Sequence, residues 1–318
     1  MKRKPECPLL PERPYTGYVV GRREGKKRLD QFLHERIPGL SRTRIQQAIR
    51  ERVTLSWGVK ARCSTPVRAG GEVRVGYKPL VEEPLDLEIP LLERGRGWIA
   101  VDKPPGVPVH PVNNVCENSL IRMLRRQEGR QMLRLVHRLD RETSGVLLVA
   151  EDVPTSSFLS QAFMRGRVHK EYLAVVAGCV DEDEGRIDEP IGEAPDRRVW
   201  VRRETGAGQP ARTDWKVVRR AADRTLLRVM PHTGRRHQIR VHLASIGHPV
   251  LGDILYGRPD RDYLDLVRGV GDARENGDGP RRQLLHCARL VFPDPGGEGV
   301  LEVSATCPPD FGELARPR

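Results

Sequence analysis

Val136-His137-Arg138-Leu139-Asp140-Arg141-Glu142-Thr143-Ser144-Gly145 runs straight into the apolar stretch Val146-Leu147-Leu148-Val149-Ala150. A short apolar run bounded by small turn residues reads as a buried strand. An aspartate just ahead of it, with Thr-Ser-Gly after it, is placed to face a cleft. Taken alone, Asp140 reads more readily as a turn aspartate, because Asp favours turns through local hydrogen bonding. Further strand-like runs lie around it: Trp98-Ile99-Ala100-Val101, Tyr172-Leu173-Ala174-Val175-Val176 and Thr225-Leu226-Leu227-Arg228-Val229. Residues 156–163 and 236–246 carry helical patterns, so strands and helices alternate.

Two further segments carry chemistry-bearing side chains. In His169-Lys170-Glu171-Tyr172 the tyrosine heads a strand, where a sheet-face role is the default for an amphipathic ring. In Thr233-Gly234-Arg235-Arg236-His237-Gln238-Ile239-Arg240-Val241-His242-Leu243, the histidines at 232, 237 and 242 invite a metal reading. Positions five apart on a helix turn by about 140°, so they do not converge on one ion, and no metal site is expected. Arg240 keeps its charge at any physiological pH and can hold a carboxylate ionised in a partly buried cleft. It reads either as the partner of Asp140 or as a phosphate-gripping or surface arginine.

The chain has 318 residues, 38% of them hydrophobic and 31% charged. At about 150 residues per domain this suggests two globular domains. No apolar run is long enough for a membrane helix, and no apolar stretch follows the basic start as a secretory signal requires. The six cysteines form no C-x-x-C pair, which argues for reduced thiols in a cytoplasm. The charge is unevenly placed. Residues 1–78 hold 19 Lys and Arg against 7 Asp and Glu, a balance of +12, and the remainder balances to zero. A neutral body with a basic appendage fits a polyanion-gripping module on a catalytic domain, and equally a solvated basic tail.

Within that quarter, residues 1–25 read as a flexible Pro/Gly/Arg arm. Leu29, Phe32, Leu33 and Ile37 form one helical stripe that Pro38-Gly39 ends. A second helix capped by Ser41 turns Ile45, Ala48 and Ile49 inward and Arg42, Arg44 and Arg50 outward, and a small hairpin follows. Residues 26–78 resemble the small RNA-binding domain first seen in a small-subunit ribosomal protein. Ser56-Trp57-Gly58 stands where that domain has a Val-Asn-Gly turn. Residues 79–93, with three prolines among acidic residues, read as a linker to a catalytic domain over 94–318. Residues 258–283 read as a long mobile loop.

The body lacks a Walker A sequence, a G-x-S-x-G elbow and the Asp-Phe-Gly that would make His137-Arg138-Leu139-Asp140 a kinase loop. Its segments, read in order, resemble the RluA-type family of ribosomal large-subunit pseudouridine synthases. The matching text comprises Asp102-Lys103-Pro104-Pro105-Gly106, Arg138 to Gly145, Lys170-Glu171-Tyr172-Leu173-Ala174, Gly234 to His242, Gly247 to Asp253, and Leu284-Leu285-His286-Cys287-Ala288. The resemblance implies an α+β fold, a mainly antiparallel mixed sheet with flanking helices, preceded by the small helical RNA-binding domain. It implies that uracil is detached from ribose, turned and rejoined through carbon, with no cofactor. Asp140 takes the place of the catalytic aspartate, Tyr172 of the active-site tyrosine, and Arg240 of the aspartate's partner. Arg42, Arg44, Arg50, Arg138, Arg235 and His237 are the expected RNA contacts. The expected partner is structured RNA, ribosomal rather than transfer, met by a monomer in the cytoplasm. A non-catalytic RNA-binding or ribosome-assembly factor of the same fold is the rival reading.

Overall fold

The computed structural model describes residues 15–37, 42–76, 82–112, 115–194, 199, 201–268, 270–272, 274 and 279–315. Contacts divide the chain into two compact units, Met1–Val81 and Glu82–Arg318.

In the first unit, β1 (Tyr15–Val19), β2 (Val53–Leu55) and β3 (Glu72–Gly76) form an antiparallel sheet in the order β1-β3-β2. Helices α1 (Leu29–Arg36) and α2 (Arg42–Arg52) pack with it. The apolar stripe does what its spacing predicts: Leu29, Phe32, Leu33, Ile45 and Ile49 are buried together with Val73. Arg42 and Arg50 are exposed, whereas the side chain of Arg44 and the cap Ser41 lie outside the described residues. The arm expected over 1–25 needs correction in its second half. Residues 1–14 lie outside the described residues, but 15–19 form β1, paired to β3 from Tyr15↔Gly76 to Val19↔Glu72. Backbone pairing to a neighbour overrides a composition that by itself reads as coil.

The second unit is built on a sheet in the order β4-β5-β7-β14-β8-β13-β12-β9, with β15 on β14 and β6 on β7. Its strands are β4 (Leu91–Gly95), β5 (Trp98–Lys103), β6 (Arg134–Leu135), β7 (Ser144–Ala150), β8 (His169–Ala177), β9 (Glu184–Asp188), β12 (Arg212–Arg220), β13 (Arg224–Pro231), β14 (Leu285–Pro293) and β15 (Val300–Ser304). A separate two-stranded sheet joins β10 (Ile191–Glu193) to β11 (Arg203–Thr205). Helices are α3 (Leu120–Glu128), α4 (Val153–Met164), α5 (Gln238–Ser245) and α6 (Asp260–Arg268). Among the described residues, β7–β14 is the one parallel pair in an otherwise antiparallel sheet. Every residue of β7 is buried, which is why its sequence is a continuous apolar run rather than an alternation. Trp98 meets Phe292 edge to face at 5.1 Å in the same core. Asp152 caps α4 by accepting from the Thr155 amide at 2.7 Å.

Two further expectations are corrected here. The stretch 79–93 is not linker to its end: 77–81 lie outside the described residues, and β4 starts at Leu91. Its exposed Glu93 and the edge position disguise it, since an edge strand keeps polar side chains. The loop expected over 258–283 contains α6, whose Tyr263, Leu264 and Leu266 pack against buried Ile254 and Leu255. Residues 269, 273 and 275–278 of that stretch lie outside the described residues. No helix of the described residues is long and apolar enough to cross a membrane.

Candidate active site

Asp140 sits between β6 and β7, on a turn held from both neighbouring strands. Its carbonyl accepts from the Thr143 amide at 3.1 Å. On the β5 side, fully buried Lys103 donates to the carbonyls of Pro104 and Arg141 at 2.7 and 2.9 Å. Burial brings its ammonium down to about 7, against the opposing pull of Glu142 and Asp140. Just ahead of β14, Arg282 donates to the Glu142 carbonyl at 3.2 Å, and Gln283 to the Thr143 hydroxyl at 2.6 Å. Arg282 is itself gripped by Asp310 through bonds of 2.6 and 2.9 Å.

Sheet register brings Tyr172 alongside. Lys103 pairs with Gly145, Gly145 with Cys287, and Cys287 with Tyr172, one row across four strands. Tyr172 is the fourth residue of β8 rather than its first. Burial drives its phenol well above the ordinary value, helped by Cys287 and Asp140, so it stays protonated.

Arg240 comes from α5, whose first turn is locked by Gln238. That side chain accepts from Thr233 Oγ1 and the Arg235 amide at 2.7 and 3.0 Å and donates to the Arg212 carbonyl and Thr213 Oγ1 at 3.0 Å each. The buried guanidinium of Arg240 spends Nε and Nη2 on Asp253, at 2.6 and 2.8 Å, and Nη1 on Asp140 Oδ2 at 2.8 Å. Its carbon lies 5.1 Å from the centre of the Tyr256 ring. Burial works against its charge, but the two carboxylates prevail and raise its pKa. For Asp140, burial opposes ionisation, and His237, Arg240 and Arg138 outweigh it, holding the carboxyl below its ordinary value. His237 contributes only when protonated, and burial holds its imidazole down at about 4. At neutral pH the pull on Asp140 is therefore that of the two arginines.

Asp140, Tyr172, Arg240, His137, Lys170 and His237 line one cavity of about 570 Å³, within the range of small-molecule sites. Of the expected RNA contacts, Arg138, Arg235 and His237 stand on this cavity, while Arg42 and Arg50 belong to the first unit. Arg235 ties its Nε to the Pro210 carbonyl at 3.1 Å. The histidines at 232, 237 and 242 are each tied elsewhere: to Asp214, to Tyr256, and to Thr213 with the Glu189 carbonyl. Residue reasoning overlooked Asp253 and Tyr256. A Gly-Asp in a turn carries no sign of which helix it will face, and Tyr256 lay at the edge of an expected loop.

The sequence profile of RNA pseudouridylate synthase matches residues 97–245, which span β5 to the end of α5. With the relatives that follow, this match shows that the chain belongs to the RNA pseudouridylate synthase family. It is similar to the ribosomal large subunit pseudouridine synthase D of Nitrosomonas europaea, 35% identical over 90% of this chain and 83% of that one. An uncharacterized RNA pseudouridine synthase of Aquifex aeolicus is 37% identical over 73% of this chain and 77% of that one. Among solved structures, human RNA pseudouridylate synthase domain containing 1 shares 25% identity and a TM-score of 0.57, covering 75% of this chain and 92% of that one. The activity is isomerisation of uridine in RNA to pseudouridine.

Proposed function

We propose that Asp140 is the catalytic carboxylate of this isomerisation, Arg240 the cation that keeps it ionised, and Tyr172 the ring against which the target uracil packs. The carrying observation is the 2.8 Å bond from buried Arg240 to Asp140 on the wall of the cavity that Tyr172 shares. A base must leave its stack to enter such a cavity, so the uridine is flipped out. Ribosomal large-subunit RNA is the substrate we propose, in keeping with the name of the Nitrosomonas relative. Arg138, Arg235 and His237 contact the RNA around the cavity, and the basic first unit, through Arg42, Arg44 and Arg50, binds phosphates. We read the enzyme as a monomer, and place it in the cytoplasm on six scattered cysteines without a C-x-x-C pair. Asp140→Asn keeps the shape and removes the charge: RNA binding is retained and no pseudouridine forms. Normal turnover in that variant overturns the assignment, and mapping pseudouridines in total RNA with and without the gene tests the substrate.

A further inference from the structure

His237 occupies the N-cap of α5 with φ 59°, a left-handed conformation that sets the direction of its side chain. Few residues other than glycine adopt it readily, although histidine is among those enriched there. The imidazole belongs to the cavity wall that also carries Asp140. Its Nδ1 lies 2.8 Å from the hydroxyl of Tyr256, and that hydroxyl accepts from the Arg203 amide at 3.0 Å. Tyr256 is not itself on the cavity wall.

A phenol has one proton. If it is directed at Nδ1, the Arg203 amide, the Tyr256 hydroxyl and Nδ1 are all paired and the imidazole proton resides on Nε2. If Nδ1 instead donated to the phenol, the Tyr256 proton would have no acceptor among the described residues. The network therefore sets the tautomer with hydrogen on Nε2, and Nε2 is the ring nitrogen without a protein partner among the described residues. Burial keeps the ring neutral at physiological pH. The site thus contains an uncharged N–H donor on the cavity wall that it shares with Asp140.

Pseudouridine formation breaks the bond between ribose C1′ and uracil N1, and the electron pair leaves with the ring. It is shared with the adjacent carbonyl, O2, the uracil oxygen nearest the breaking bond. A preorganised donor aimed at developing negative charge is worth most in a cavity with little water. We propose that His237 is a catalytic residue that donates its Nε2–H to O2 of the flipped uridine as the ring departs, with Tyr256 as the positioning residue that fixes its tautomer. No proton is transferred in this contact. The hydrogen bond strengthens as the bond breaks and weakens again when C1′ joins C5 and the C5 proton is replaced by one on N1.

This inference rests on the reading of Asp140 above, and the Asp140→Asn control is run beside it. Turnover in that control sinks the reading of Asp140, whatever His237 does. The test measures single-turnover pseudouridine formation and the RNA dissociation constant for His237→Ala, His237→Gln and Tyr256→Phe, with ¹⁵N spectra of the histidines in wild type and Tyr256→Phe. His237→Ala slows the single turnover by roughly 100-fold, the usual effect of removing one such donor, while RNA affinity, shared with Arg138 and Arg235, falls far less. His237→Gln, whose amide still offers an N–H, recovers much of the rate. Tyr256→Phe slows it less and turns the Nε2–H signature of His237 into that of a tautomer mixture. Should His237→Ala fail to fold, His237→Gly, which adopts positive φ freely and offers no side-chain donor, takes its place with the same expected loss. An Nδ1–H tautomer in wild type, full rate in a folded His237 variant, or lost affinity with an unchanged saturated rate would each overturn the proposal.

Discussion

At the scale of single residues, the site is organised by the three-way commitment of Arg240. Two of its bonds go to Asp253, whose side chain is fully buried, and one to Asp140, whose side chain is 21% exposed. The arginine is thus anchored by Asp253 and holds the Asp140 carboxylate by a single contact. Removing it is predicted to harm stability as well as activity. Arg240→Met strands a buried carboxylate, so unfolding free energy should fall by about 3–5 kcal/mol in urea titration. Adding Asp253→Asn should restore part of that stability and none of the turnover; a double variant no more stable than the single one would refute this account. The pair Asp140–Arg240 was legible through the family resemblance, since the residues alone left Asp140 as a turn aspartate and Arg240 open between three roles. Asp253 was not legible, because its partner lies across a turn whose path the local sequence does not encode.

At the scale of elements, the single parallel contact of the sheet matters most. β7 and β14 pair at His286↔Ser144 and Cys287↔Gly145, and this closeness depends on Gly145. Its φ is 106°, and a Cβ there would stand 2.2 Å from the Cys287 carbonyl oxygen. Gly145→Ala should therefore cost at least about 2–3 kcal/mol and shift the turn bearing Asp140. Thermal melting together with single-turnover rates would check it, and a stable, fully active variant would contradict the argument. Strands with continuous apolar runs, such as β5 and β7, were readable from sequence, as were α1, α2, α4 and α5 from their periodicity. β1, β4 and α6 escaped because they lie at edges or in polar surroundings, where pairing and packing decide the conformation and composition misleads.

At the scale of the whole molecule, buried histidines set the response to acid. Burial lowers His137 to about 3 and His237 and His286 to about 4, from an ordinary 6.5. Above 6.5 these groups are neutral in both folded and unfolded chains and the fold keeps its full stability. As pH falls below 6.5 the unfolded chain takes up protons that the fold refuses, so stability drops until pH reaches about 4 for His237 and His286 and about 3 for His137. Urea midpoints measured at pH 7 and pH 5 should show the loss, and equal midpoints would argue against neutral burial. The basic first unit governs a different property. Replacing exposed Arg42, Arg50, Arg62 and Arg68 with glutamine should weaken RNA binding and flatten its salt dependence, by about 0.9 in logarithmic slope for each phosphate no longer neutralised. An unchanged slope would assign the grip to the second unit.

The buttress behind Asp140 also has a consequence in time. Arg282 and Gln283 reach Glu142 and Thr143 across 140 positions of chain. During synthesis the first unit is free to fold early, and Asp140 emerges long before Arg282 and Gln283. A nascent chain stopped before Arg282 thus carries the proposed catalytic aspartate without two of the groups that hold its turn. On the reading proposed above, competence arrives late, after the basic first unit is already made. Ordered this way, the enzyme can meet RNA before it can alter it.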